Sequence, residues 1–186
     1  MVRLALSFAV LLFAVHANAQ WLLQSSVTTA DLRGIDSKGD RVAWASGTNG
    51  TVLRTSDGGD TWQACAIPPD AAHLDFRGVQ AFDANTAVVM SYGKGSLSRL
   101  YKTSDGCHSW KLVFTNPDAD GSWSALKFAF GEENRPYRTG TLYGDPVKEE
   151  FTEFVTHDFG ETWTPSGASV STSGRNTVRG KQFVVA

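Results

Sequence analysis

The residues able to do chemistry are few and scattered. Arg33 and Arg77 occupy matching places in Leu32-Arg33-Gly34-Ile35 and Phe76-Arg77-Gly78-Val79, and a third copy, Trp123-Ser124-Ala125-Leu126, lacks the arginine. Guanidinium groups present paired donors that fit an oxyanion, so two arginines side by side would form a carboxylate clamp. The alternative is that each is neutralised by a nearby acid, Asp31 or Asp75. Asp145, in Tyr143-Gly144-Asp145-Pro146, offers a carboxylate at a turn, and Glu149 with Glu150 offers a second, the minimum for a glycoside hydrolase. Turn formation and solvation account for the same residues. Arg33, Arg77 and Asp145 are therefore the candidate binding residues, and no residue is assigned as catalytic. His73, His108 and His157 share no ligand spacing with one another or with Cys65 and Cys107, so neither a metal site nor a cofactor is expected. Asn49-Gly50-Thr51 matches an N-glycosylation acceptor in a tight turn.

The elements that must position these residues announce themselves by repetition. Thr55-Ser56-Asp57-Gly58-Gly59-Asp60-Thr61-Trp62, Thr103-Ser104-Asp105-Gly106-Cys107-His108-Ser109-Trp110 and Thr156-His157-Asp158-Phe159-Gly160-Glu161-Thr162-Trp163 align without gaps at a period of about fifty residues. An aspartate at a turn accepts hydrogen bonds from backbone N–H groups further along, and glycine supplies positive φ. Asp57, Asp105 and Asp158 are thus read as hairpin staples, and Trp62, Trp110 and Trp163 as plugs between neighbouring strands. Cys107, where the pattern has glycine, predicts a strained or differently shaped second turn.

Alternation of apolar and polar residues predicts strands at Leu32–Ile35, Arg41–Ser46, Gly50–Thr55 and Trp62–Ile67, then at Phe76–Phe82, Thr86–Tyr92, Ser98–Thr103 and Trp110–Thr115. A less regular third set is Ser124–Phe130, Arg138–Tyr143, Phe151–Thr156 and a start at Trp163. Four antiparallel strands per repeat give an all-β fold, a β-propeller of four-stranded blades with about three blades in residues 32–163. The polar run Ser166–Arg179 shows no alternation, Gln182–Val185 could pair weakly, and residues 164–186 read as a partial or disordered start of a fourth blade.

Composition narrows the function. With 17 Lys+Arg against 19 Asp+Glu there is no basic excess for nucleic acid or an anionic membrane. Arg3, the apolar run Leu4–Val15 and the ending Ala17-Asn18-Ala19 read as a signal peptide over residues 1–19, too short to span a bilayer, which predicts a periplasmic or secreted protein. There Cys65 and Cys107 can persist as a disulfide closing a loop of roughly forty residues, or remain two thiols.

Three blades cannot close a ring that usually needs about four to eight. Trp21-Leu22-Leu23-Gln24 resembles the last strand of a blade, so residues 20–31 are read as a closing strand, and the chain as the N-terminal part of a longer propeller. The alternatives are an open fan or two copies assembled together. In either case the turns bearing the aspartates share one face, and binding is expected on the opposite one, at Gly47–Gly50, Gly93–Leu97, Gly144–Glu150, Ala66–Asp75 and Thr115–Trp123.

The Ser/Thr-x-Asp-x-Gly-x-Thr/Ser-Trp pattern resembles the Asp-box, or bacterial neuraminidase repeat, of a β-propeller superfamily. Together with the Trp-x-x-Gln opening and the Leu-Arg-Gly inner strand it is similar in particular to the photosystem II stability and assembly factor-like group. That resemblance implies a non-enzymatic module whose arginine-lined face holds a protein or glycan partner. Sialidases share the repeat and imply a glycosidase, but also need an Arg-Ile-Pro segment, which is absent, an arginine triad, of which two members align, and a Tyr–Glu pair, for which Tyr92, Tyr101, Tyr137 and Tyr143 show no evident glutamate. Sortilin-type receptor propellers share the repeat as well and imply peptide binding in the channel.

Overall fold

The computed structural model describes residues 23–130, 136–147, 150–167 and 170–171. Residues 1–19, Trp21, Leu22, Tyr137 as a side chain, Glu149 and residues 182–185 lie outside the described parts. Three four-stranded antiparallel sheets follow one another as blades of a partial β-propeller. Blade 1 is β1 (Leu32–Lys38), β2 (Val42–Gly47), β3 (Val52–Thr55) and β4 (Gln63–Ala64); blade 2 is β5 (Asp75–Ala81), β6 (Ala87–Tyr92), β7 (Arg99–Thr103) and β8 (Lys111–Thr115). Blade 3 is β9 (Trp123–Phe130), β10 (Pro136–Gly144), β12 (Glu153–Thr156) and β13 (Thr164–Pro165). The strand expected at Phe151–Thr156 is split: β11 (Glu150–Phe151) leaves the blade and pairs with β14 (Val170–Ser171), inside the run read as lacking strands. The third sheet also runs past Trp163, because β13 pairs with β12 at Val155↔Thr164. No α-helix occurs among the described residues; Gly95–Leu97 form a single 3-10 turn.

The near-continuous apolar run Ala87–Met90 is explained by burial on both faces. Successive side chains of a strand point to opposite sides. Ala87 and Val89 enter one core with Trp44, Phe76, Tyr101 and Trp110, while Val88 and Met90 enter the other with Trp123, Phe128, Leu142, Phe154 and Trp163. The first core is the junction of blades 1 and 2, and the second that of blades 2 and 3. Among the described residues, blade 1 has only one such junction. Val79 on β5 packs against the first core, whereas Ile35, its counterpart on β1, is 72 % exposed.

Each blade's third and fourth strands are joined by the same hydrogen-bonded corner. Thr55 Oγ1 donates to Asp57 Oδ1 (2.7 Å) and accepts from Gly59 N (3.0 Å), while Thr61 N and Oγ1 donate to the two Asp57 oxygens (3.0 and 2.5 Å). Thr103, Asp105, Cys107 and Ser109 repeat this set, as do Thr156, Asp158, Gly160 and Thr162. The second corner therefore has the shape of its neighbours. Cys107 adopts φ 68° where Gly59 and Gly160 have 96° and 82°. Its side chain is tied off: Cys65 and Cys107 form a disulfide, Cα–Cα 5.2 Å, linking the outer edge of blade 1 to the corner of blade 2.

Two of the three tryptophans plug gaps between blades rather than between strands. Trp110 stands edge-on to Trp44 of blade 1, centroids 6.4 Å apart, and Trp163 stacks on Phe114 of blade 2 at 6.5 Å. Trp62 faces the N-terminal segment, where its Nε1 donates to Gln24 Oε1 (3.0 Å).

The corner carboxylates are held ionised. Hydrogen bonds from Ser109, with one from Thr103, lower the Asp105 pKa to about 2. At Asp158 burial pushes upward but is outweighed by bonds from Thr162 and Thr156, again giving about 2; Asp57, bonded by Thr61 and Thr55, is lowered too. Because the folded values lie below the unfolded ones, this contribution is complete above about pH 4 and disappears as pH falls through about 2. Urea midpoints measured from pH 5 to pH 2 should fall steadily, and less so in Asp105→Asn; a flat profile would contradict the staple role.

Candidate functional site

The two aligned arginines owe their placement to a recurring irregularity. In blade 1 the register passes from Leu32↔Gly47 to Gly34↔Ser46, leaving Arg33 without a partner in the ladder. In blade 2 it passes from Phe76↔Ser91 to Gly78↔Met90, leaving Arg77, and in blade 3 from Trp123↔Gly144 to Ala125↔Tyr143, leaving Ser124. A bulge of this kind bends the strand and re-aims the extra side chain. The glycine after Arg33 lets the inner strands approach: a Cβ on Gly34 would lie 2.6 Å from Ser46 Oγ and 3.2 Å from the Arg77 carbonyl. Blades 1 and 2 thus meet backbone to backbone at the level of the arginines.

The three bulges carry different chemistry. Arg33 reaches the next blade, Nη1 to Asp75 Oδ2 at 3.5 Å, with both side chains more than a third exposed, so the pair is weak. Arg77 is exposed and makes no ion pair with a described residue. Its guanidinium carbon lies over the Tyr92 ring, 3.6 Å from the centroid, a cation–π contact that holds the group while no described carboxylate pairs with its N–H groups. Ser124 donates to Asp145, and Ser122 Oγ donates to the other carboxylate oxygen at 2.6 Å. Asp145 N donates in turn to the Ser122 carbonyl (2.8 Å). Asp145 therefore closes the entry of blade 3, at the position that Tyr92 occupies in blade 2. On blade 1 the same level is a polar hollow of about 390 Å³ between Thr28–Asp31 and Thr48–Thr51.

Tyr92 was not legible as a site residue, since only the register places it beneath Arg77. The register also supplies a glutamate that the sequence did not show: Tyr143 on β10 faces Glu153 on β12. Burial, with a contribution from Glu153, pushes the Tyr143 phenol upward, the direction opposite to that of an activated nucleophile. No group of three His, Cys, Asp or Glu able to hold a metal occurs among the described residues, nor any helix long and apolar enough to cross a membrane.

No protein-family model matches the chain, and no curated protein matches it. Solved structures do. "YCF48 bound to D1 peptide" superposes with TM-score 0.56 at 24 % identity over 75 % of this chain, and YCF48 from Cyanidioschyzon merolae with TM-score 0.54 at 23 % over 76 %. The matched part is 41 % of each of those chains, so this chain spans well under half their length, and the likeness is one of fold.

Proposed function

We propose that the chain is an exported, non-enzymatic assembly-type module that holds a protein partner on the face bearing Arg33 and Arg77. The observation carrying this reading is Arg77, held over Tyr92 with its N–H groups unpaired by any described carboxylate. The peptide bound to one YCF48 structure supports a protein partner over a glycan. Residues 1–19 would direct export, residues 20–31 would serve as a closing strand, and the three corners would be Asp-boxes of the neuraminidase-repeat type.

Titration with fluorescent peptides, acidic and neutral, tests the reading. An acidic peptide should saturate, and Arg77→Ala should weaken it about 10- to 150-fold, as loss of a charge-assisted hydrogen bond costs about 1.5–3 kcal/mol. Binding unchanged in the Arg33→Ala, Arg77→Ala double variant would refute it. Turnover of a fluorogenic sialoside, abolished by Asp145→Ala, would favour a glycosidase instead.

A further inference from the structure

On the face bearing the corners, the two blade junctions differ in their charged residues. At the junction of blades 2 and 3, Lys102 on β7 and Lys111 on β8 are opposite one another in the ladder and close on Glu161 of the third corner, at 2.7 and 3.1 Å. The hydrogen bond from Lys102, with that from Lys111, holds the Glu161 carboxyl below its usual range. At the junction of blades 1 and 2 the same ladder position pairs Arg54 on β3 with Gln63 on β4, and the residue matching Glu161 is His108. The cation is present and the carboxylate is not.

Arg54 is correspondingly unsatisfied. Its guanidinium lies 5.7 Å from the centre of the Trp44 ring, and its Nε is buried without a hydrogen-bond partner. No ion pair reaches it from the described residues, and the acids of the bordering turns are engaged. Asp83 Oδ1 accepts from Asn85 N and Thr86 N, and both Asp105 oxygens accept from Ser109. His108 Nδ1 lies 2.6 Å from the Asp105 carbonyl. Room beside Arg54 is kept by Gly106, where a Cβ would lie 3.2 Å from Nη1. The guanidinium charge has no opposite charge among the described residues, and a carboxylate meeting its Nη edge would supply one.

We propose that this notch, formed by Arg54 with Gln63 and His108, is a second binding site, which receives a carboxylate from outside the chain where Glu161 serves the next junction from within. It lies on the face opposite Arg33 and Arg77 and does not depend on their role.

The test follows the arginine Nε–Hε resonance of Arg54 in the whole protein during titration with acetate, with a blocked Gly-Glu-Gly peptide, and with chloride as the ionic control. A saturable shift with acetate alone assigns the notch to small free carboxylates; one with the peptide assigns it to acidic side chains of a partner. Either response should be lost in His108→Glu, which supplies the carboxylate internally. No saturable shift with either carboxylate, an equal response to chloride, or a response undiminished in His108→Glu would overturn the proposal.

Discussion

Trp110→Ala and Trp163→Ala should each cost about 3–5 kcal/mol of stability, the range for removing a large buried aromatic, while Trp62→Ala should cost about 1 kcal/mol or less. The three residues hold the same place in the repeat but differ in surroundings. Trp110 and Trp163 are each 7 % exposed and fill the seams between blades. Trp110 also donates Nε1 to the Ala66 carbonyl at 2.8 Å, so truncation would open a cavity and strand an acceptor together. Trp163 is flanked by Phe114 and by Phe128, whose ring stands edge-on at 6.0 Å. Trp62 is only partly buried beside Gln24, and its loss would leave a dent rather than a hole. Denaturant unfolding of the three variants checks this; equal losses would mean that the corner itself, and not the seam, is what the tryptophan stabilises.

Opening the Cys65–Cys107 bond should be of similar size. The bridged residues are 42 apart, and the chain-entropy relation assigns about 4 kcal/mol to a loop of that length. The two residues are not equivalent once the bond is gone. Cys107 keeps a backbone at φ 68°, a conformation that L side chains adopt at a cost of about 1 kcal/mol and glycine at none. The pair Cys65→Ser, Cys107→Gly should therefore be more stable than Cys65→Ser, Cys107→Ala by about 1 kcal/mol, although both lack the bond. Unfolding midpoints in parallel give the comparison, and the reverse order would show that the corner has relaxed out of the left-handed region.

Much of the fold was legible because two periodicities reinforce each other. The repeated Thr, Asp and Trp fix where each blade turns, and alternation fixes the strands between, so β6 and β7 begin one residue from their expected starts. The failures lie in the outer strands of the blades. Trp62–Ile67 shrinks to Gln63–Ala64, since beyond it the chain is drawn toward Cys107. Phe151–Thr156 breaks because residues 170–171 capture its first part, a competition that no local pattern encodes. At the site, the alignment of Arg33, Arg77 and Ser124 was visible, but the bulges that expose them were not. Nor were the cross-strand and cross-blade meetings of Arg77 with Tyr92, Tyr143 with Glu153, and Lys102 with Glu161, because each depends on register.

The bulged entries bear on how such a scaffold can change its specificity. A residue that stands outside the ladder contributes no backbone pairing there, so exchanging its side chain leaves the sheet's hydrogen bonds intact. Positions 33, 77 and 124 already hold two arginines and a serine on three near-identical frames. Selection, or a combinatorial library, can retarget this row of tips while the architecture beneath it stays constant.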